Sequence, residues 1–125
     1  MKKDYTIISP LCSQIVRSST SIYANMSEGS YNLSTPKEKV KCFTIACREA
    51  YETLSWLSLF YEIGELPEDA YNELKEEVIE IIRILSKSIT TLRSKIKYNL
   101  FGFENSLEMH VSCTLGCCFT VLVLS

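Results

Sequence analysis

Residues 35–63 read TPKEKVKCFTIACREAYETLSWLSLFYEI, and this stretch decides the fold. Thr35 can cap a helix that begins at Pro36, and Glu38 can reach back to the cap amide, as in a capping box. A seven-residue repeat of apolar positions follows, which predicts a helix over residues 36–63 that packs along its length on another helix. The repeat consists of Val40, Phe43, Cys47, Ala50, Leu54, Leu57 and Tyr61.

Two further helices are predicted, one on each side of this stretch. Ser9 and Pro10 favour a helix start and Gly29 favours a stop, which predicts a helix over residues 9–28. The third helix is predicted over residues 67–98. Each carries an apolar stripe at helical spacing: Ile8, Leu11, Ile15, Ser18, Ile22 and Met26 in one, and Tyr71, Leu74, Val78, Ile81, Leu85, Ile89, Leu92 and Ile96 in the other. Because short connections make consecutive helices antiparallel, the predicted fold class is all-α, an antiparallel up-and-down helical bundle.

The composition agrees with a small helical protein and disfavours an enzyme. With 4 glycines and 3 prolines in 125 residues, the chain has too few turn residues for many short strands. Its one histidine, His110, and its two aspartates leave little material for acid–base or metal chemistry. We therefore expect no catalytic residue and no cofactor. Since neither a signal peptide nor an apolar run of about 20 residues is evident, we expect a cytoplasmic protein with reduced thiols and no membrane contact.

The last part of the chain, residues 99–125, differs in composition from the predicted bundle over residues 5–97. Asn99 and Gly102 favour a helix end after residue 98, and residues 111–124 are uncharged and rich in cysteine. Three alternatives stay open for this tail: a strand-like segment, a segment docked in a groove, or sequence without selected structure.

The six cysteines fall into two groups. Cys12, Cys42 and Cys47 lie in helical patterns and are predicted core thiols. In the tail, one histidine and three cysteines have the residue types of a zinc site without its usual spacing, namely His110, Cys113, Cys117 and Cys118. An apolar tail with reduced thiols is the preferred interpretation, so no metal site is predicted.

Charge is unevenly placed, although the formal net charge is only -2. In an antiparallel bundle, the basic C-terminal half of the third helix lies beside the basic N-terminus of the second. The predicted basic pole comprises Lys37, Lys39, Lys41, Lys87, Arg93, Lys95 and Lys97. Lysines at a helix N-terminus oppose the macrodipole, so we expect them to serve an anionic partner, RNA or DNA phosphate. The alternative is a solvated surface compensated by Glu28 and Glu38, since no aromatic residues alternate with the lysines.

Two glutamates, Glu49 and Glu52, lie within the otherwise apolar second helix. Because unpaired charge is rarely buried, we expect them to pair with Arg17 or Arg48.

Residues 14–29, QIVRSSTSIYANMSEG, resemble the second-helix signature of bacterial four-helix bundle proteins encoded in intervening sequences of 23S ribosomal RNA genes, a family often labelled ribosomal. The resemblance extends over about residues 5–97. The motif residues kept here are Gln14, Arg17, Ser21, Ile22, Asn25 and Glu28. For the polar ones we favour contacts within the bundle over a functional interface, because buried polar groups normally satisfy one another.

The resemblance implies an up-and-down four-helix bundle that assembles as a homopentamer, has no established enzymatic activity and is suspected of nucleic-acid association. A related bundle is the accessory protein of diversity-generating retroelements, which works with a reverse transcriptase and RNA. The family's first helix is expected to be missing here, because the chain starts about a dozen residues before Gln14. Three of the four helices would then leave an apolar groove, and we expect the tail or a second chain to fill it.

The sequence therefore supports two hypotheses about function. The first is a non-enzymatic, oligomeric helical bundle that binds RNA through its basic pole. The alternative is a protein-interaction or scaffold module that uses the exposed apolar groove and no nucleic acid.

Overall fold

A computed structural model describes the backbone of residues 5–31 and 35–123 and the side chains of residues 8–31 and 35–99. It contains the helices α1 (Tyr5–Ser30), α2 (Pro36–Glu62) and α3 (Glu68–Val123), and the described residues include no strand. α2 packs against both neighbours, whereas the described Cα atoms of α1 and α3 stay more than 8 Å apart. The predicted all-α bundle is confirmed, with α2 as the shared helix.

The ends of α2 follow the signals in the sequence. The Thr35 hydroxyl accepts from the Glu38 backbone N–H at 3.3 Å, and a Glu38 carboxylate oxygen accepts from the Thr35 N–H at 2.7 Å, so the capping box is complete. At the other end, Gly64 has a φ of 75° and donates to Tyr61 O, while Glu65 donates to Phe60 O. These are the two hydrogen bonds of a Schellman motif, which requires the left-handed conformation that glycine adopts readily.

The predicted start of α1 is wrong, because the helix begins at Tyr5 and Pro10 lies inside it. Ser9 is therefore not its cap. Pro10 is the sixth residue of α1, beyond the first turn whose N–H groups have no intrahelical acceptor, so it removes one hydrogen bond of the helix.

The predicted role of Gly29 as a left-handed stop is also wrong. The helix includes Gly29 and ends at Ser30, and within the described residues only Gly64 is a glycine with positive φ. Gly29 instead lies against α2: a Cβ atom added there would be 2.6 Å from Phe43 Cε1 and 3.1 Å from Cys42 Cβ. The missing side chain lets the two helices approach closely.

α3 continues past its predicted end at residue 98 and runs to Val123. The chain has no proline after Pro67, and single glycines cost a helix only about 1 kcal/mol each relative to alanine. Asn99 and Gly102 are therefore too weak to stop a helix. The side chains of residues 100–125 lie outside the described part of the structure, and so does the His110 and cysteine pattern.

The core lies along the inner faces of all three helices. One cluster joins Ile22 of α1, Ala50 and Leu57 of α2, and Val78 and Ile82 of α3. Within the described residues, no helix has a stretch that is both long enough and apolar enough to cross a bilayer.

α2 buries two different stripes. The predicted heptad includes Ala50 and Leu57, which are buried, and Cys47, whose Sγ lies 3.8 Å from Ser86 Oγ of α3. A second stripe consists of Cys42, Ala46, Glu49 and Thr53, all buried. Contacts of this stripe with Arg17, Ser18 and Gly29 show that it faces α1.

Candidate nucleic-acid interface

One end of the bundle collects basic side chains from two helices. Because α2 and α3 are antiparallel and have the same rise per residue, the contact between Cys47 and Ser86 puts Pro36 level with Lys97. The start of α2 thus lies beside the C-terminal part of the described α3 side chains. We call this region the basic end; it carries Lys37, Lys39 and Lys41 from α2, and Lys87, Arg93, Lys95 and Lys97 from α3.

The seven bases are accessible. Lys39 is half-buried and the other six are exposed. Among the described side chains, none of the seven forms an ion pair with a carboxylate; the described ion pairs join Arg17 to Glu49 and Glu52, and Arg83 to Glu80. The positive charge of the basic end is therefore available to a ligand.

Glu38 adds a negative charge to this end, and its carboxylate also completes the capping box. Hydrogen bonds from the Thr35 backbone N–H and then from the Thr35 hydroxyl lower the pKa of Glu38. The carboxylate is directed at the amide groups that begin α2, where the macrodipole favours negative charge. The carboxylate thus stabilises the helix start, and the positive charge of Lys41 also lowers its pKa.

Two cavities lie between α1 and α3, each lined also by residues of α2, and the upper cavity lies at the basic end. We call the two together the α1–α3 groove. Its upper part is a cavity of about 580 Å³ with Lys39 and Lys87 on its walls. Apolar atoms of Phe43, Ile84 and Leu92 line it as well. Lysines from two helices thus border one apolar depression.

The lower part of the groove is almost entirely apolar. This cavity of about 420 Å³ lies between α1 and α3, and Glu77 is its charged lining residue. Its apolar lining comes from all three helices: Ile15, Ile22, Tyr23, Met26, Leu57, Leu74, Val78 and Ile81. The predicted apolar groove is present.

Aromatic side chains also lie at the basic end, which the sequence did not predict. Tyr31, just after α1, is 63% exposed, and Tyr98 on α3 is 78% exposed. Tyr31 precedes the lysines of α2, and Tyr98 directly follows Lys97. The antiparallel packing brings the two rings to the same end of the bundle.

The Arg17 motif residue contacts α2 rather than the basic end. Arg17 Nη1 lies 3.4 Å from Glu49 Oε2, and Nη2 pairs with Glu52. Arg17 Nε donates to Gln14 Oε1 at 3.2 Å, and Trp56 Nε1 donates to the same Glu52 carboxylate at 3.3 Å. The expected pairing of the two glutamates with Arg17 is confirmed.

These contacts change the ionisation of the partners. The hydrogen bond from Arg17 is the main cause that lowers the pKa of Glu52, and Trp56 lowers it further. The same hydrogen bond raises the pKa of Arg17 above its ordinary value. Both groups are therefore held in their charged forms, as a structural contact between α1 and α2 requires.

A hydrogen bond between two uncharged side chains lies next to the Arg17 ion pair in the α1–α2 interface. Thr53 Oγ1 donates to Ser18 Oγ at 2.8 Å and both residues are buried. Among the described buried side-chain atoms, no nitrogen or oxygen lacks a hydrogen-bond partner. The α1–α2 interface is thus polar and satisfied.

The other motif residues lie nearer the basic end. Asn25 Nδ2 donates to the Ser21 backbone oxygen at 2.9 Å, within α1. Asn25 and Glu28 line a cavity of about 660 Å³ between α1 and α2, together with Lys41 and Cys42. Of the motif residues, these two are accessible to a ligand at the basic end.

The described thiols offer no reactive site. Burial is the main cause that raises the pKa of Cys42, so the thiol stays neutral. Cys47 is half-buried, and Cys12 is exposed, so the prediction of a core thiol at Cys12 is wrong. Within residues 8–31 and 35–99, no group of histidine, cysteine and carboxylate side chains has the arrangement of a metal site.

Comparisons with known proteins agree with this fold. No curated protein matches the chain significantly. The crystal structure of a protein of unknown function from the S23 ribosomal protein family of Bacteroides thetaiotaomicron VPI-5482 is similar, with a TM-score of 0.60 and 32% identity. The similarity covers 63% of this chain and 72% of that chain. Residues 7–87 match the family described as 23S rRNA-intervening sequence protein, and the chain therefore belongs to that family.

Proposed function

We propose that this protein is a non-enzymatic helical bundle that binds single-stranded RNA in the cytoplasm through its basic end. One observation carries the proposal: seven bases from two helices lie together, and none pairs with a described carboxylate. Lysine and arginine clusters of this kind bind phosphates, and the release of counterions drives the binding.

Two features favour a single strand over a duplex. Tyr31 and Tyr98 are exposed beside the bases, and unpaired nucleobases stack on such rings. The apolar depression between Lys39 and Lys87 can receive a base whose phosphate contacts the lysines. A paired base cannot leave its stack without a free-energy cost of a few kcal/mol.

Salt-dependent RNA binding tests the proposal. If all seven bases contact phosphates, the affinity for a short single-stranded RNA falls on the order of 10³-fold between 50 and 200 mM salt. Lys37→Glu, Lys39→Glu and Lys41→Glu combined should reduce this salt dependence by about three contacts and weaken binding at least tenfold at the lower salt. Fluorescence anisotropy with labelled RNA measures both quantities.

The control is Lys75→Glu, which reverses one charge at the opposite end of the bundle, where Lys75 lies over the Tyr71 ring. It should leave affinity within about twofold, whereas Lys37→Glu alone should reduce the salt dependence by about one contact. The duplex of the same RNA and the matching DNA strand test for strand and sugar preference. Unchanged binding by the triple variant would overturn the proposal.

The α1–α3 groove favours a second candidate function, a protein-interaction module without nucleic acid. Its support is the apolar lower part of the groove, which remains open between two helices. A full-length protein that binds none of the three nucleic acids at 50 mM salt would favour this candidate.

A further inference from the structure

The cavity between α1 and α2 holds charges of both signs, unlike either part of the α1–α3 groove. We call it the α1–α2 cavity; its lining includes Lys41 of the basic end and the carboxylates of Glu28 and Glu38. Its volume of about 660 Å³ lies in the range of roughly 300–1,000 Å³ that is typical of small-molecule sites. Ile45 and the exposed Tyr31 add apolar surface. The cavity can therefore hold a flat polar ring such as a nucleobase.

The position of the Glu28 carboxylate is explained neither by its helix nor by phosphate binding. Glu38 completes the capping box of α2, whereas Glu28 lies in the last turn of α1, where the macrodipole disfavours a negative charge. At the basic end it also repels the phosphates that the lysines attract. It attracts hydrogen-bond donors instead, because an ionised carboxylate is only an acceptor. The ligand group that suits Glu28 is thus the donor edge of a base.

Neighbouring contacts hold the acceptors of this cavity in place. Burial, the charge of Glu28 and a hydrogen bond that the thiol donates to Glu28 raise the pKa of Cys42. A carboxylate accepts up to about four hydrogen bonds, so it can bind the thiol and a base together. Asn25 uses Nδ2 for the Ser21 backbone oxygen and the Ser21 hydroxyl, so Oδ1 is its group for a ligand. The Tyr31 N–H donates to the Glu28 backbone oxygen at 3.2 Å, which fixes Tyr31 beside the turn that carries Glu28.

Guanine has the edge that fits a carboxylate. Its Watson–Crick edge carries two adjacent donors, N1–H and the N2 amino group, and the two oxygens of Glu28 can accept from one each. Adenine and cytosine present one amino group beside an acceptor nitrogen, and uracil presents one N–H between two carbonyl groups. With these bases one carboxylate oxygen would face an acceptor, which weakens binding. The chemistry of the cavity therefore selects guanine.

We propose that the α1–α2 cavity binds a guanine base of single-stranded RNA and so gives the basic end a sequence preference. Glu28 accepts from N1–H and the N2 amino group, Tyr31 stacks on the ring, and Lys41 contacts the phosphate of the same nucleotide. This inference rests on the proposed function, because the base arrives on a strand that the basic end binds. The α1–α2 cavity and the depression between Lys39 and Lys87 are separate, so they receive different nucleotides.

Four short RNAs that consist of uridine except at one central position test the preference by fluorescence anisotropy. We expect the RNA with a central guanosine to bind at least about fivefold more tightly than those with adenosine, cytidine or uridine, as a bidentate contact provides. Inosine, which lacks the N2 amino group, should lose most of this preference, whereas 7-deazaguanosine, which keeps both donors, should retain it. Equal binding of the four RNAs would overturn the guanine assignment and leave RNA binding intact. Binding of none of them would overturn the proposed function as well.

Glu28→Gln tests the carboxylate. The amide has one acceptor oxygen and cannot pair with both donors, so the preference for guanosine should disappear. The affinity for the all-uridine RNA should rise by up to about twofold, because one negative charge is removed. A misfolded variant would lose both affinities, so these opposite changes identify the contact.

The matched control is Glu73→Gln, which makes the same change at the opposite end of the bundle and should keep the preference for guanosine. A Glu28→Gln variant that still prefers guanosine would overturn the proposal.

Two further measurements test the stacking and the source of the base. Tyr31→Ala should weaken binding of the guanosine RNA at least about fivefold, and Tyr31→Phe should retain most of that affinity, because stacking needs only the ring. Equal loss in both variants would overturn the stacking contact. Free guanosine 5′-monophosphate should compete only at concentrations at least about 100-fold above those of the guanosine RNA, since it lacks the contacts with the other lysines. Equal competition would assign the cavity to free nucleotides and overturn the RNA assignment.

Discussion

The two interfaces of α2 are built from different chemistry. Towards α3, α2 presents the apolar heptad, and the facing helix contributes buried Val78, Ile82 and Leu85. Towards α1, it presents small or polar residues, and the closest contacts are the ion pair of Arg17 and the hydrogen bond of Ser18. The first interface depends on area removed from water, the second on close approach and satisfied polar groups.

The two interfaces should therefore tolerate different changes. An apolar interface loses stability in proportion to the volume removed, but it adapts to similar apolar side chains. A close polar interface is sensitive to added atoms and to the loss of one partner. Four predictions follow this contrast.

The largest effect is expected at the centre of the α2–α3 interface. Leu85 is only 2% exposed, so Leu85→Ala leaves a cavity and should lower the free energy of unfolding by about 3 kcal/mol. Urea denaturation measures this loss. The control Val16→Ala removes apolar atoms at an exposed position of α1 and should change the free energy of unfolding by less than about 0.5 kcal/mol. Equal losses in the two variants would show that burial at the α2–α3 interface is not the cause.

Adding one carbon to the α1–α2 interface should have the next largest effect. In Gly29→Ala, the new Cβ lies 2.6 Å from Phe43 Cε1, so the helices or the ring must move. We expect the free energy of unfolding to fall by about 2 kcal/mol, even though alanine has a higher helix propensity than glycine. Circular dichroism melts and urea denaturation measure it.

Two variants separate crowding from backbone effects at Gly29. Gly29→Ala combined with Phe43→Leu should cost less than the sum of the single changes, because the smaller side chain makes room. In Gly64→Ala, the added Cβ has no heavy atom within 4 Å. The free energy of unfolding should fall by only about 1 kcal/mol, because residue 64 has a positive φ. A stable Gly29→Ala variant would show that close approach is not required.

Removing the cation from the α1–α2 interface should have a smaller effect. Arg17→Met leaves the buried Glu49 carboxylate without its ion-pair partner, and the melting temperature should fall by a few degrees. Trp56, the single tryptophan, donates to Glu52, so its fluorescence should report the change. Adding Glu49→Gln should recover part of the loss, and no recovery would contradict a charge effect.

The smallest effect is a dependence on pH. Since folding lowers the pKa of Glu52, this carboxylate stabilises the protein above its ordinary pKa, and the stabilisation is lost as the pH falls through the lowered value. Between about pH 7 and about pH 3, the melting temperature of the Glu52→Gln variant should therefore fall by less than that of the parent protein. Glu73→Gln, which removes one carboxylate at an exposed position of α3, is the matched control.

The apolar interface was predictable from the sequence, and of the polar interface only the pairing of Glu49 and Glu52 with Arg17 was. Hydropathy at steps of three and four identifies the α2–α3 stripe because each position is individually apolar. Thr53 carries no such signal, since threonine is common on exposed helix faces. The basic end was predictable from charge order along two antiparallel helices. The exposure of Tyr31 and Tyr98 at that end was not, because tyrosine occurs on buried and exposed helix faces alike.

The sequence by itself determined the helical class, the capping box at Thr35, the break at Gly64 and the separation of charge, since all of these depend on neighbours within a few residues. The tertiary structure decided that Pro10 lies inside α1, that Gly29 is a contact rather than a stop, and that Thr53 donates to Ser18 across the α1–α2 interface. It also decided which side chains share the α1–α3 groove. These depend on atoms distant in the chain, whose meeting is set by packing rather than by local preference.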